Sequence, residues 1–288
     1  MPEQKRNLKS VWFAVIALLV LTNVIVWAFW FSTSEKKFKI SFYDVGQGDS
    51  ALIQTKEGYN ILVDGGPNNK VVDYLNRDLP VNDREIDAVI LTHPQADHMY
   101  GLIETLKKYK VKKILTTNAT NNTKLYQNWI DTINNKKIAL EYVKTGETLT
   151  TGDGVTLKFV WPQTDQLQKV DDLNVACVVF KLSYGSLDVL MTGDADVQTQ
   201  PYPEIESHIE VLKVPHHGSK TAIKDEELEK IKPEIAVISV AAKNRYGHPT
   251  AVTLNQLQSF GAKIFRTDQR GTVKIVSDGQ RWYTQTER

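Results

Sequence analysis

Thr92-His93-Pro94-Gln95-Ala96-Asp97-His98 directly follows the apolar run Ile86 to Leu91. Two imidazoles and a carboxylate in so short a loop are a set that a divalent metal can use. Three more candidate ligands lie far downstream, each just after its own apolar run. Asp194 follows Leu187 to Met191, and His216 and His217 follow Val211 to Val214. Residues this distant in sequence meet only if their strands end at one sheet edge, where α/β folds build sites. The chain is therefore constrained to a layered α/β architecture with a metal site at its strand ends.

The rest of the pattern agrees. Strand-like runs are Phe38–Tyr43, Ala51–Thr55, Asn60–Val63, Asp87–Leu91, Lys113–Thr116, Val155–Val160, Val175–Leu182, Leu187–Met191, Glu210–Val214, Ile235–Val240 and Gly271–Val276. Helical periodicity fits Lys70–Leu79, Met99–Tyr109, Lys124–Asn134, Lys224–Ile231 and Ala251–Phe260. Hairpin-like pairs give way to strand–helix alternation and then to hairpins again. Two packed sheets with helices on both outer faces satisfy that order. No long linker, repeat or low-complexity tract interrupts residues 38–288, which read as one domain.

Val11 to Ser32 carries no charge and is long enough to cross ~30 Å of hydrocarbon as a helix. Trp12 and Phe13 open this stretch, and Trp27, Phe29, Trp30 and Phe31 close it, as at two membrane interfaces. Residues 11–32 are read as a transmembrane anchor and 1–10 as a short cytoplasmic N-terminus. A cleaved signal peptide is the alternative, although its apolar core is usually only about 7–15 residues. Lys5, Arg6 and Lys9 before the span balance Lys36, Lys37 and Lys39 after it. The short leader tips the expectation to a single-pass cell-membrane protein with an extracellular catalytic domain. The net charge is +1, so no global field gathers nucleic acid. Cys177 is the single cysteine, so no intrachain disulfide forms, and its apolar run marks it as a small core residue.

The His-x-Gln-x-Asp-His loop resembles the His-x-His-x-Asp-His signature of the metallo-β-lactamase superfamily. Thr192-Gly193-Asp194 resembles its bridging-aspartate segment, and Val214-Pro215-His216-His217-Gly218 the turn that supplies its last histidine. Asp44-Val45-Gly46-Gln47-Gly48-Asp49-Ser50, Asp64-Gly65-Gly66, His216-His217-Gly218-Ser219 and Tyr246-Gly247-His248-Pro249 narrow the likeness. Together they resemble the metallo-β-lactamase-like domain of the ComEC family of bacterial competence proteins, from Ile40 to Val276. That resemblance implies a metallo-β-lactamase-like αββα sandwich over residues 38–288, preceded by one transmembrane helix.

It also implies roles. His93 binds metal site 1; Asp97, His98 and His217 bind site 2; Asp194 bridges the two. Gln95 stands where the second histidine of the signature usually sits. Asn174 stands in for the histidine preceding the bridging aspartate. Site 2 keeps two imidazoles and two carboxylates, suited to Zn²⁺ or Mn²⁺. Site 1 has at best two neutral amide oxygens beside His93 and Asp194, so one tight and one weak divalent site are expected.

Asp97, His248 and Asp64 are the candidate catalytic residues. Asp64 suits an acceptor for a ligating histidine, with a turn aspartate as the alternative. Asp49 suits the same role or a tight turn. His248 suits a proton donor or a phosphate contact, or a plain cap. His216 and Ser219 are placed near substrate or behind the ligands. Lys107, Lys108, Lys110, Lys112 and Lys113 form a basic cluster that either tracks a nucleic-acid backbone or is a solvated helix end.

The function these readings imply is a membrane-anchored, metal-dependent phosphodiesterase or nuclease acting on DNA during uptake. Its implied partners are the membrane, single-stranded DNA and a separate multi-span channel protein, since one span makes no channel. The alternatives are a hydrolase of another ester (phosphorylcholine, teichoic acid or a lactone) and a metal-binding surface module whose catalysis has decayed.

Overall fold

The computed structural model describes residues 8–33, 37–80, 84–163, 167, 170–200, 202, 205 and 208–288. The chain divides into two units, residues 1–36 and 37–288. In the first, α1 (Leu8–Thr33) is one helix, ~39 Å long at 1.5 Å per residue. Its side chains from Ser10 to Trp27 are exposed, and it is long and apolar enough to cross a membrane. Residues 1–7 of the expected cytoplasmic segment lie outside the described residues.

The second unit begins with β1 (Phe38–Phe42), β2 (Ala51–Gln54), β3 (Asn60–Val63), α2 (Lys70–Asp78), β4 (Glu85–Ile90), α3 (Ala96–Lys108), β5 (Lys110–Thr116), α4 (Lys124–Lys136) and β6 (Ala139–Tyr142). It continues with β7 (Thr148–Thr150), β8 (Thr156–Trp161), β9 (Val179–Tyr184), β10 (Leu187–Met191), β11 (Val211–Lys213), α5 (Asp225–Ile231), β12 (Ile235–Ile238), α6 (Ala251–Ser259), β13 (Lys263–Arg266), α7 (Thr267–Arg270), β14 (Val273–Ser277) and β15 (Trp282–Thr286). One sheet has the order β15-β14-β1-β2-β3-β4-β5-β6, the other β13-β12-β11-β10-β9-β8-β7.

The strand period of two sorts the core into layers. Phe38, Ile40, Phe42, Ile53, Ile61 and Val63 point inward and meet Leu157, Phe180, Leu182, Val189 and Val237 of the other sheet. The alternate residues Leu52, Leu62 and Val89 pack outward with Val72, Leu102 and Trp129 of α2, α3 and α4. Leu190, Leu212 and Ile238 pack likewise with Leu228 of α5 and Leu257 of α6. This is the expected αββα sandwich. β12, parallel to both its neighbours, is apolar and buried at every residue because both its faces are covered.

The departures from expectation have physical causes. α3 starts at Ala96 rather than Met99, so Asp97 and His98 lie in its first turn and not in the preceding loop. An acidic side chain there is favoured by the helix dipole. Val175 and Ala176 belong to a 3₁₀ turn, Leu173–Ala176, and the strand begins at Val179. Strands β6, β7 and β15 were not expected. They are edge strands with mostly exposed side chains, so no apolar alternation marks them. β13 and α7 were also missed; both are only four residues long.

Candidate metal centre

Four segments bring the site residues together at the ends of β3, β4, β10 and β11. Asp64 follows β3 and takes a left-handed backbone, φ 55°. Its carboxylate accepts from Thr92 N at 2.8 Å, from the Thr92 hydroxyl at 2.7 Å and from His98 Nδ1 at 2.8 Å. With Nδ1–H committed to that carboxylate, the lone pair of His98 is on Nε2. His217 is set the same way, with Nδ1 2.9 Å from the Ser239 carbonyl. His216 and His217 also have positive φ, 47° and 53°. Three strained non-glycine residues in one site are the mark of a geometry the surrounding fold holds in place.

Asp97, His98, Asp194 and His217 each present one ligand atom within 4.8 Å of all the others. His98 Nε2 is 3.4 Å from Asp194 Oδ1, and His217 Nε2 is 3.5 Å from both Asp97 Oδ2 and Asp194 Oδ2. The Nε2 atoms of His93, His98 and His217 and Oδ1 of Asp194 are buried with no hydrogen-bond partner. Orphaned buried polar atoms are costly unless something binds them. Two imidazoles and two carboxylates converging on one point fit a divalent ion such as Zn²⁺ or Mn²⁺.

The electrostatics agree. Burial disfavours an imidazolium at His217, but Asp194, Asp49 and Asp97 outweigh it and push the pKa up to about 10. His98 is likewise raised by Asp194 and Asp64 against its burial. Asp194 is held well below the carboxylate range by His217 and His98 despite burial. Without a metal, protons on the imidazoles supply the positive charge this carboxylate cluster needs. His93 differs: burial and then His98 lower it to about 3, so it is a neutral ring.

His93 stands beside the four-residue set rather than inside it, its ring 4.2 Å from that of His98. Gln95 and Asn174 are brought together, but with each other. Gln95 Nε2 donates to Asn174 Oδ1 at 3.1 Å, and Asn174 Nδ2 lies 3.4 Å from His216 Nδ1. The oxygen that Asn174 would lend to a metal is thereby engaged. Ser219 lies in a buried turn, its hydroxyl 3.3 Å from that of Thr221 and its carbonyl bound by Thr253. His248 stands edge-on to His216, ring centroids 5.6 Å apart, with a buried, unpartnered Nδ1. His208 is half exposed and outside any helix.

Asp49 has a partner that sequence reasoning missed. Lys213 Nζ is 2.6 Å from Asp49 Oδ2, and Asp49 Oδ1 is 3.4 Å from His217 Nδ1. A lysine inside the apolar run Val211-Leu212-Lys213-Val214 was the available signal. Gly48 seats this segment: a Cβ there would lie 2.2 Å from the Asp97 carbonyl oxygen, so only glycine allows the approach. Thr92, which holds Asp64, was also missed.

The basic cluster is not part of the site. Lys107 pairs with Glu104, Lys110 with Glu85, Lys112 with Glu85 and Asp87, and Lys113 with Glu141. Lys110 and Lys113 pair in register with Glu85 and Ala88. They therefore sit toward the start of the parallel strands, whereas His93 follows the end of β4.

A sequence model of the metallo-β-lactamase superfamily matches residues 43–242. ComE operon protein 3 of Bacillus subtilis is 30% identical over 197 residues, covering 66% of this chain and 24% of that protein. Competence protein ComA of Neisseria gonorrhoeae is 27% identical over 254 residues, covering 84% of this chain and 32% of that protein. The chain thus spans a third or less of the length of either. CmlA, a diiron β-hydroxylase from Streptomyces venezuelae, shares the fold with a TM-score of 0.54 and 14% identity, over 87% of this chain and 54% of CmlA.

Proposed function

Because the chain belongs to the metallo-β-lactamase superfamily of metal-dependent hydrolases and has competence proteins among its relatives, we propose that it is a membrane-anchored phosphodiesterase acting on DNA during uptake. The observation that carries this reading is the convergence of Asp97, His98, Asp194 and His217 beside His216 and His248. Asp97, His98, Asp194 and His217 would hold the tight ion. His93 would share Asp194 with a second, weaker one, since the Gln95 and Asn174 amides are bound to each other. A bound divalent ion supplies positive charge that polarises a phosphoryl oxygen and makes water a better nucleophile.

The chain's own residues do the rest. Asp64 and the Ser239 carbonyl fix the tautomers of His98 and His217, so each ligand lone pair is aimed before metal arrives. His248 has its pKa lowered by burial and then by His216 and His217. At pH 7 it is a neutral ring that donates or accepts one hydrogen bond to substrate, rather than a fixed cation for a phosphate. α1, long and apolar enough to cross a membrane, supports the anchor; the hydrolase unit outside the cell and a separate multi-span channel as its partner complete the reading.

The test uses the full chain in detergent, stripped and reloaded with Mn²⁺ or Zn²⁺. Single-stranded DNA, bis-p-nitrophenyl phosphate and nitrocefin are offered side by side. Metal-dependent cleavage of the two phosphodiesters is expected. Turnover of nitrocefin alone, or of none of the three, would overturn the reading.

A further inference from the structure

A row of rings leads away from the candidate metal centre. The ring of His217 is 6.3 Å from that of His216, His216 is 5.6 Å from His248, and His248 stacks on Tyr246 at 5.8 Å and 26°. Tyr246 ends the row and is 53% exposed. Large exposed aromatic rings cost free energy in water and are informative when they adjoin a site. The loop that carries Tyr246 is held rigidly. Asn244 Oδ1 accepts from Tyr246 N at 3.1 Å and His248 N at 3.0 Å. Asn244 Nδ2 donates to the carbonyls of Ala241 at 3.0 Å and His248 at 2.7 Å. Gln47 Oε1 accepts from Ala241 N at 3.3 Å, tying the loop to the segment that carries Asp49. One residue thus satisfies four backbone groups and presents the ring without a strand or helix beneath it.

The charge beside the ring is positive. The Arg245 guanidinium lies 5.0 Å from the Tyr246 ring centroid and 2.9 Å from its hydroxyl. Arg245 and Lys243 are exposed, and neither makes an ion pair among the described residues. An exposed aromatic face with a guanidinium against it and a second exposed cation in the same loop, three ring-to-ring steps from His217 of the candidate metal centre, matches a nucleotide: a base for the ring and phosphates for the cations.

We propose that the Ala241–His248 loop is a stacking platform for single-stranded nucleic acid, with a base of the strand that runs to the metal centre lying on Tyr246. Arg245 leaves the ring for the neighbouring phosphate when the base arrives, since a base–aromatic stack is stronger than an exposed cation–π contact. The platform accepts any base, because every base has a π-face, and it rejects a duplex, whose bases are already stacked. This inference rests on the phosphodiesterase reading of the adjacent centre and names the form of its substrate.

The experiment measures binding of a fluorescein-labelled oligothymidylate, and of an abasic oligonucleotide of equal length, to the full chain in detergent without divalent metal. Wild type is expected to prefer the base-bearing strand by about tenfold. Tyr246→Ala should erase that preference, and Tyr246→Trp should restore it. Lys243→Gln should weaken both strands alike, because phosphate contacts do not sense bases. If wild type binds and cleaves DNA but Tyr246→Ala keeps the base preference, the platform is wrong and the phosphodiesterase reading stands. If wild type neither binds nor cleaves DNA, both fall together.

Discussion

Lys213 Nζ lies 2.6 Å from Asp49 Oδ2, with side-chain exposures of 2% and 8%. The ammonium also donates to the Val214 carbonyl at 3.0 Å. Burial would drive the Asp49 carboxyl up, but Lys213 and then His217 hold it down at about 2. The pair locks β11 to the Asp44–Ser50 segment directly behind a candidate metal ligand. It is a charge that must be matched: desolvated ions are tolerated only in pairs.

Lys213→Met should therefore cost ~3 kcal/mol or more of stability, because it leaves the buried Asp49 with only His217, at 3.4 Å, as a counter-charge. The double variant Lys213→Met with Asp49→Leu should recover most of that loss. Urea unfolding of the three proteins reads both. Full stability in the single variant would mean that Asp49 is neutral or reaches water.

Exhaustive dialysis should leave near one divalent ion per chain by elemental analysis. Gln95→Glu should raise occupancy of a second site, since it replaces an amide bound to Asn174 with an anionic oxygen. One added charge–metal contact in a partly dry site is worth about tenfold or more in affinity. Two ions retained by wild type would show that the Gln95–Asn174 pair opens to bind metal.

Asp194→Ala should abolish hydrolysis and metal retention while far-ultraviolet circular dichroism stays that of the wild type. Asp64→Asn should be milder, lowering metal affinity about 10–100-fold by loosening the His98 ring. Equal effects of the two would place Asp64 among the ligands.

Asp78 reports acid sensitivity far from the metal centre. Burial raises its carboxyl, but Arg77, Lys274 and Tyr43 outweigh that and hold it below its ordinary value of 3.8. A carboxylate with a depressed folded-state pKa stabilises the fold above its unfolded pKa. That contribution fades as pH falls through the folded value. The stability difference between wild type and Asp78→Asn should be constant above about pH 5 and shrink below 3.8. A difference that grows with acidity would reverse the sign of the argument.

The sequence by itself determined the layers and the cluster. Apolar runs of period two are strands wherever they occur, and a His-x-Gln-x-Asp-His loop after one of them announces metal chemistry. Asp194 and His217 were legible because each follows such a run, and parallel strand ends converge. The tertiary structure decided what depends on contacts between distant segments. Edge strands β6, β7 and β15 bury too little to leave an alternating pattern. Lys213 became a partner of Asp49 only when β11 packed against the first loop. Gln95 and Asn174, far apart in sequence, came to share a hydrogen bond. Pattern records which face of an element is buried; it does not record which buried polar atom finds which partner, because that pairing is set by packing across the whole fold.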